Sequence, residues 1–199
     1  MKKASMNIPN TLSLIRVLLV PVFVVTLLFM RHLGVVGIIV PTIVYILTGL
    51  TDMLDGKIAR KYNLVTDFGK FIDPLADKFM VLGSMITILV WMLLRAEFTL
   101  AIVFVFVVLV ILLRELGVTS LRLVVAGKSG IVVAASMLGK LKTVSQMVGT
   151  VVILVEPIIP FFCENHILSY VMMALMAFTT LFSGLDYLKA YMPYIDSNK

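Results

Sequence analysis

Asp52, Asp55, Asp73 and Asp77 stand in a stretch otherwise rich in Leu, Ile, Val, Phe and Met. An ionised carboxylate held away from water is costly unless it is paired or bound to a cation. At about 100° per residue, Asp52, Asp55, Gly56 and Ala59 share about 100° of arc on one helix. Asp73 and Asp77, about one turn apart, share a face of the next helix with Gly69. A short connection around "KYNLV" lets the two helices lie side by side, so four carboxylates converge at one end of the pair. Like charges gathered in a partly dry site repel one another unless cations neutralise them. A hard divalent ion prefers oxygen ligands, and two closely spaced ions suit four carboxylates, so Mg²⁺ or Mn²⁺ is expected. Gly56, Ala59 and Gly69 leave the backbone open to close approach by a bulky ligand. A competing reading pairs the aspartates with Lys57, Arg60, Lys70 and Lys78. That reading is favoured for one aspartate alone; four of them, with small residues on the same faces, favour a metal site. Pro74 either kinks its helix near the site or lies in its first turns.

These residues must be positioned by membrane helices. The chain has 199 residues, 61% of them hydrophobic, and a mean hydropathy of +1.10. That is too apolar for an ordinary soluble domain. Apolar runs long enough to cross hydrocarbon recur along the length, without the two-residue alternation of a membrane barrel. The expected fold is an all-α membrane protein with six transmembrane helices, near 12–30, 34–58, 69–94, 98–122, 134–156 and 166–189, within a single catalytic domain over 1–199. The one cysteine, Cys163, has no intrachain partner and no metal-ligand spacing around it. The opening "MKKASMNIPN" has no small-residue cleavage site and is kept as part of the mature protein.

Charge suggests the orientation. Of 17 Lys and Arg residues, all but Arg31 and Arg95 fall on one side of a six-span arrangement. The positive-inside rule makes that side cytoplasmic, together with both termini and the aspartates. Lys2, Lys3, Lys61, Lys128 and Lys189 suit anionic lipid headgroups. No basic stripe with interleaved aromatics stands clear of the bilayer, so nucleic acid is not an expected partner. His32 and His166 fall at the opposite membrane face.

Positions 52 to 77 read DxxDGxxARx8GxxxDxxxD, which resembles the signature of the CDP-alcohol phosphatidyltransferases in every fixed position. The resemblance implies a six-helix, metal-dependent, dimeric enzyme. In such an enzyme an alcohol attacks the β-phosphate of a CDP-activated lipid and CMP leaves. Carried over, Asp52, Asp55 and Asp73 are metal ligands, and Asp77 is a ligand that also serves as, or stands next to, the general base. Gly56, Ala59 and Gly69 approach the CDP moiety, with Arg60 on its phosphates. Phosphoryl-type transfer needs mainly positioning and charge neutralisation, which suits this set.

Beyond the signature, "IPNTLSLIR", "RELGVTSLR" and "MLGKLKT" are similar to segments of the bacterial phosphatidylglycerophosphate synthase branch, with Ser13 where threonine is usual. That implies CDP-diacylglycerol and glycerol 3-phosphate as substrates, in a bacterial cytoplasmic membrane. Arg114, Arg122, Lys140 and Lys142 are cations at the cytoplasmic ends of the fourth and fifth spans, suited to an acceptor phosphate. Lys140 and Lys142 lie about 200° apart on a helix, so one of them instead suits a lipid headgroup. Glu115 is expected to orient Arg114 through a salt bridge. Asn10 and Arg16 either reach the cytidine and its phosphates or form a helix start and a snorkelling arginine. The alternatives are the same chemistry on an inositol phosphate or serine and, far behind, a divalent-cation transporter, whose carboxylates belong near the bilayer midplane.

Overall fold

The computed structural model describes residues 7–62, 66–129, 136–162 and 165–192. Lys2, Lys3, Cys163 and Lys199 lie outside the described residues, as do the side chains of Asp55, Lys57, Ala59, Arg60, Lys61, Lys70 and Lys128 and the surroundings of Gly56. Among the described residues six long helices follow one another: α1 Ile8–Phe29, α2 Val36–Tyr62, α3 Asp67–Leu94, α4 Phe98–Ser129, α5 Met137–Val155 and α6 Ile167–Tyr191. Among the described residues, five contain segments long and apolar enough to cross a membrane, and α2 adds the apolar stretch Val36–Asp52. The protein is thus a six-helix, multi-pass membrane protein, as its composition requires. The helix α2 runs from Val36 to Tyr62 and so covers the span expected near 34–58 from its third residue on.

The chain forms two compact units, Met1–Glu97 and Phe98–Lys199. In the first, α1 packs along both α2 and α3. Asn7 caps α1 by accepting from the Asn10 N–H at 3.1 Å, and a proline occupies its first turn, where a missing N–H costs nothing. After α1, a short 3-10 turn, Met30–Leu33, leads to Gly34, whose φ of 56° suits glycine. Thr66 caps α3 through the Gly69 N–H at 3.0 Å. Phe23, Leu27, Tyr45, Ile88, Trp91 and Met92 fill the interior, with the Phe23 and Tyr45 rings 5.7 Å apart.

In the second unit, α6 packs along both α4 and α5. Polar side chains fasten α5 to α6: the Ser145 and Thr179 hydroxyls meet at 2.7 Å, and Gln146 Nε2 donates to Thr180 Oγ1 at 3.1 Å. Such bonds hold membrane helices together where hydrophobicity does not discriminate protein from lipid. Glu156, fully buried just after α5, accepts from the backbone N–H groups of Leu168 at 2.7 Å and Ser169 at 2.8 Å, and from the Ser169 hydroxyl. The first N–H groups of a helix lack internal partners and carry its positive dipole end. His166, the residue preceding α6, makes no side-chain cap, so Glu156 performs that service from a distance in sequence.

Glu156→Ala should therefore strand three donors, each worth about 1–3 kcal/mol when buried. Thermal unfolding in detergent should show a large loss for Glu156→Ala and a smaller one for Glu156→Gln, which keeps an acceptor. Equal midpoints for the three proteins would mean that the cap contributes nothing.

Candidate active site

The carboxylates of the first unit are held from α1. Asn10, Ser13 and Arg16 recur every third residue along that helix, and all three are buried. Residues three apart lie on neighbouring parts of one helix face, so these form a polar stripe on an apolar helix. Asn10 Nδ2 donates to Thr66 Oγ1 at 2.9 Å, fixing the residue that caps α3. The Ser13 hydroxyl donates to Asp73 Oδ1 at 2.5 Å. Arg16 Nη1 lies 2.8 Å from Asp52 Oδ1 on α2 and 3.2 Å from Asp77 Oδ1 on α3. One guanidinium thus joins the two aspartate-bearing helices. It also offsets part of the repulsion between the two carboxylates.

Exposure differs among them. The Arg16 side chain is 1% exposed, Asp52 31% and Asp77 58%. Asp73 is half-buried. A Cβ placed on Gly69 would lie 2.8 Å from Asn10 Oδ1 and 3.2 Å from Thr66 Oγ1, so any larger residue there would displace the hydrogen-bonded Asn10 side chain. Asp55, Gly56, Ala59 and Arg60 continue α2 beyond Asp52, and only their helical backbone is described.

The available donors are carboxylate oxygens, the class a hard divalent ion takes. Among the described residues no three acidic, histidine or cysteine side chains form a group able to hold one ion. Asp52 and Asp77 each give one oxygen to Arg16. The carboxylate oxygens of Asp52, Asp73 and Asp77 are of the donor class that fits such an ion.

In the second unit, Arg114 and Arg122 lie on α4 and Lys140 and Lys142 near the start of α5. Arg114 Nη1 lies 3.1 Å from Glu115 Oε1, and Nη2 donates to Ser183 Oγ at 2.6 Å. Buried Lys142 pairs with the same Glu115 oxygen. Arg122 and Lys140 are exposed. The two lysines therefore occupy different environments, and Glu115 holds two cations where the sequence suggested one. Ser183 and Tyr187, both on α6, have no place in any motif of the sequence. Only their position on a polar, buried face of α6, shared with Thr179 and Thr180, marks them.

A family model described as CDP-alcohol phosphatidyltransferase matches residues 6–182. A CDP-diacylglycerol–glycerol-3-phosphate 3-phosphatidyltransferase of Bacillus subtilis (strain 168) is 37% identical over 190 residues, covering 91% of this chain and 93% of its own. A protein of the same description from Rickettsia typhi is 36% identical, covering 94% and 98%. A probable phosphatidylglycerophosphate synthase of Mycobacterium tuberculosis is 34% identical, covering 91% and 79%.

The geometry predicts strong coupling between Arg16 and its partners. Arg16→Met should destabilise the protein by about 2 kcal/mol or more, since hydrogen bonds to charged groups are worth about 1.5–3 kcal/mol. Removing Asp77 as well, as Asp77→Asn, should add less than its separate cost. Unfolding midpoints of the two single variants and the double variant measure this, and strict additivity would break the proposed link.

Proposed function

The chain belongs to the CDP-alcohol phosphatidyltransferase family, and from that premise we propose that it transfers the phosphatidyl group of CDP-diacylglycerol to glycerol 3-phosphate, releasing CMP and giving phosphatidylglycerol phosphate. The relatives' names support both substrates. The observation that carries the reading is the linkage of Asp52 and Asp77 through Arg16, with Asp73 tied to Ser13, inside the family's aspartate pattern. We assign the protein to a bacterial cytoplasmic membrane as a homodimer, with the carboxylates and both termini on the cytoplasmic side, on charge asymmetry and family resemblance.

In this reaction the acceptor hydroxyl forms a bond to the β-phosphorus as the bond to the CMP oxygen breaks, and the hydroxyl proton must be taken up. Asp77 suits that role because it is the most exposed of the carboxylates linked by Arg16 and can pass a proton on to water. Asp52, Asp55 and Asp73, with Asp77, would hold two divalent ions. When bound, those ions supply charge neutralisation for the diphosphate. Asn10, Gly56, Ala59, Arg60 and Gly69 are assigned to the CDP moiety. Arg114, Arg122 and Lys142 are assigned to the acceptor phosphate, with the Glu115 pairs fixing Arg114 and Lys142 in place, and exposed Lys140 to that phosphate or to a lipid headgroup.

Purified protein given CDP-diacylglycerol and Mg²⁺ or Mn²⁺ should release CMP with glycerol 3-phosphate and far less with glycerol, serine or inositol phosphate. The preference over glycerol should be roughly ten- to hundred-fold, the value of a charge-assisted phosphate contact. Excess chelator should abolish turnover, and Asp77→Asn should depress kcat much more than the KM for CDP-diacylglycerol. Equal rates with glycerol would overturn the acceptor assignment, and full activity in chelator would overturn the metal site.

A further inference from the structure

Tyr187 of α6 is 2% exposed, packed against Val118 and Leu121 of α4. Phenylalanine would fill that volume equally well, so the packing leaves the hydroxyl unexplained. The phenolic oxygen accepts from Arg122 Nη2 at 2.7 Å and from the Ser136 backbone N–H at 3.1 Å. Ser136 is the residue that caps α5, the helix bearing Lys140 and Lys142. The ring meets the Arg122 guanidinium carbon 4.9 Å from its centroid and that of Arg114 at 5.4 Å. One aromatic side chain thereby touches both arginines assigned to the acceptor phosphate and the start of the helix carrying both lysines.

The consequence differs between the two arginines. Arg114 already has a carboxylate partner in Glu115 and a hydroxyl partner in Ser183. Arg122 is exposed, and a long exposed side chain must give up rotamer freedom before it can grip an anion. A guanidinium carries five N–H donors, so one bond to Tyr187 fixes the group without exhausting it. The stacking contact adds orientation, because the planar cation lies over the ring.

We propose that Tyr187 is a positioning residue for the phosphorylated acceptor: its hydroxyl pre-orients Arg122 and its ring supports both arginines, which favours a phosphate-bearing alcohol over an uncharged one. The inference rests on the acceptor reading above.

Steady-state CMP release is the readout, with glycerol 3-phosphate, glycerol and CDP-diacylglycerol each varied. Tyr187→Phe removes the hydroxyl alone and should raise the KM for glycerol 3-phosphate roughly three- to tenfold, the range for one neutral hydrogen bond, with kcat and the KM for CDP-diacylglycerol nearly unchanged. Tyr187→Leu should do more, and should narrow the preference for glycerol 3-phosphate over glycerol. In an Arg122→Gln background, Tyr187→Phe should change little, since the residue it positions is gone. An unchanged KM in Tyr187→Phe overturns the proposal, and so does a uniform fall in kcat with lowered thermal stability, or full additivity with Arg122→Gln. A wild-type enzyme that ignores glycerol 3-phosphate overturns the underlying function as well. One that uses it while Tyr187→Phe matches it overturns only the role of Tyr187.

Discussion

The first unit depends on one buried cation. Arg16 enters from α1 and meets Asp52 and Asp77, carboxylates that belong to different helices. Without a positive charge between them, two aspartates at the end of a membrane helix pair would push α2 and α3 apart. With it, the two helices converge on the same point, each also packed along α1. A buried arginine is itself expensive to desolvate, and the carboxylates are what make it tolerable. The dependence is therefore mutual: the site and the three-helix packing stabilise each other.

The second unit uses α6 in the way the first uses α1. Its N-terminal end is held by buried Glu156, its middle by hydroxyl and amide bonds from α5, and its last turns carry Ser183 and Tyr187 to the arginines of α4. Lipid cannot satisfy these polar groups, so each must find its partner inside the protein. Both units are arranged alike: a central helix presents polar side chains, and charged residues of its neighbours meet them.

Much of this was legible in the sequence. Uninterrupted apolar runs gave six helices because hydrocarbon permits little else, and the aspartate pattern named the family because its spacing is so restrictive. The second span, expected over 34–58, is matched by α2, Val36–Tyr62, whose last turns carry the charged residues of the signature. Asn10 and Arg16 were visible as polar residues on an apolar helix, but their partners lie more than fifty positions away. The spacing of Asn10, Ser13 and Arg16 was the available signal for a stripe facing other helices. Tyr187 carried no signal of its own, because tyrosine near the end of a membrane helix is ordinarily an interfacial residue. Glu115 was legible as a neighbour of Arg114, whereas its second partner, Lys142, comes from tertiary packing.

The helix α1 sets the geometry of Asp52, Asp73 and Asp77, and Ser13 probes it most directly because it touches Asp73 without carrying charge. The measurement is the concentration of Mn²⁺ that gives half-maximal CMP release in wild type, Ser13→Ala and Ser13→Thr. Ser13→Ala should need several-fold more metal, in line with the loss of an outer hydrogen bond to the carboxylate proposed as a ligand, and Ser13→Thr, which keeps the hydroxyl, should stay near wild type. Identical metal dependence in all three proteins, at matched stability, would contradict that role of α1.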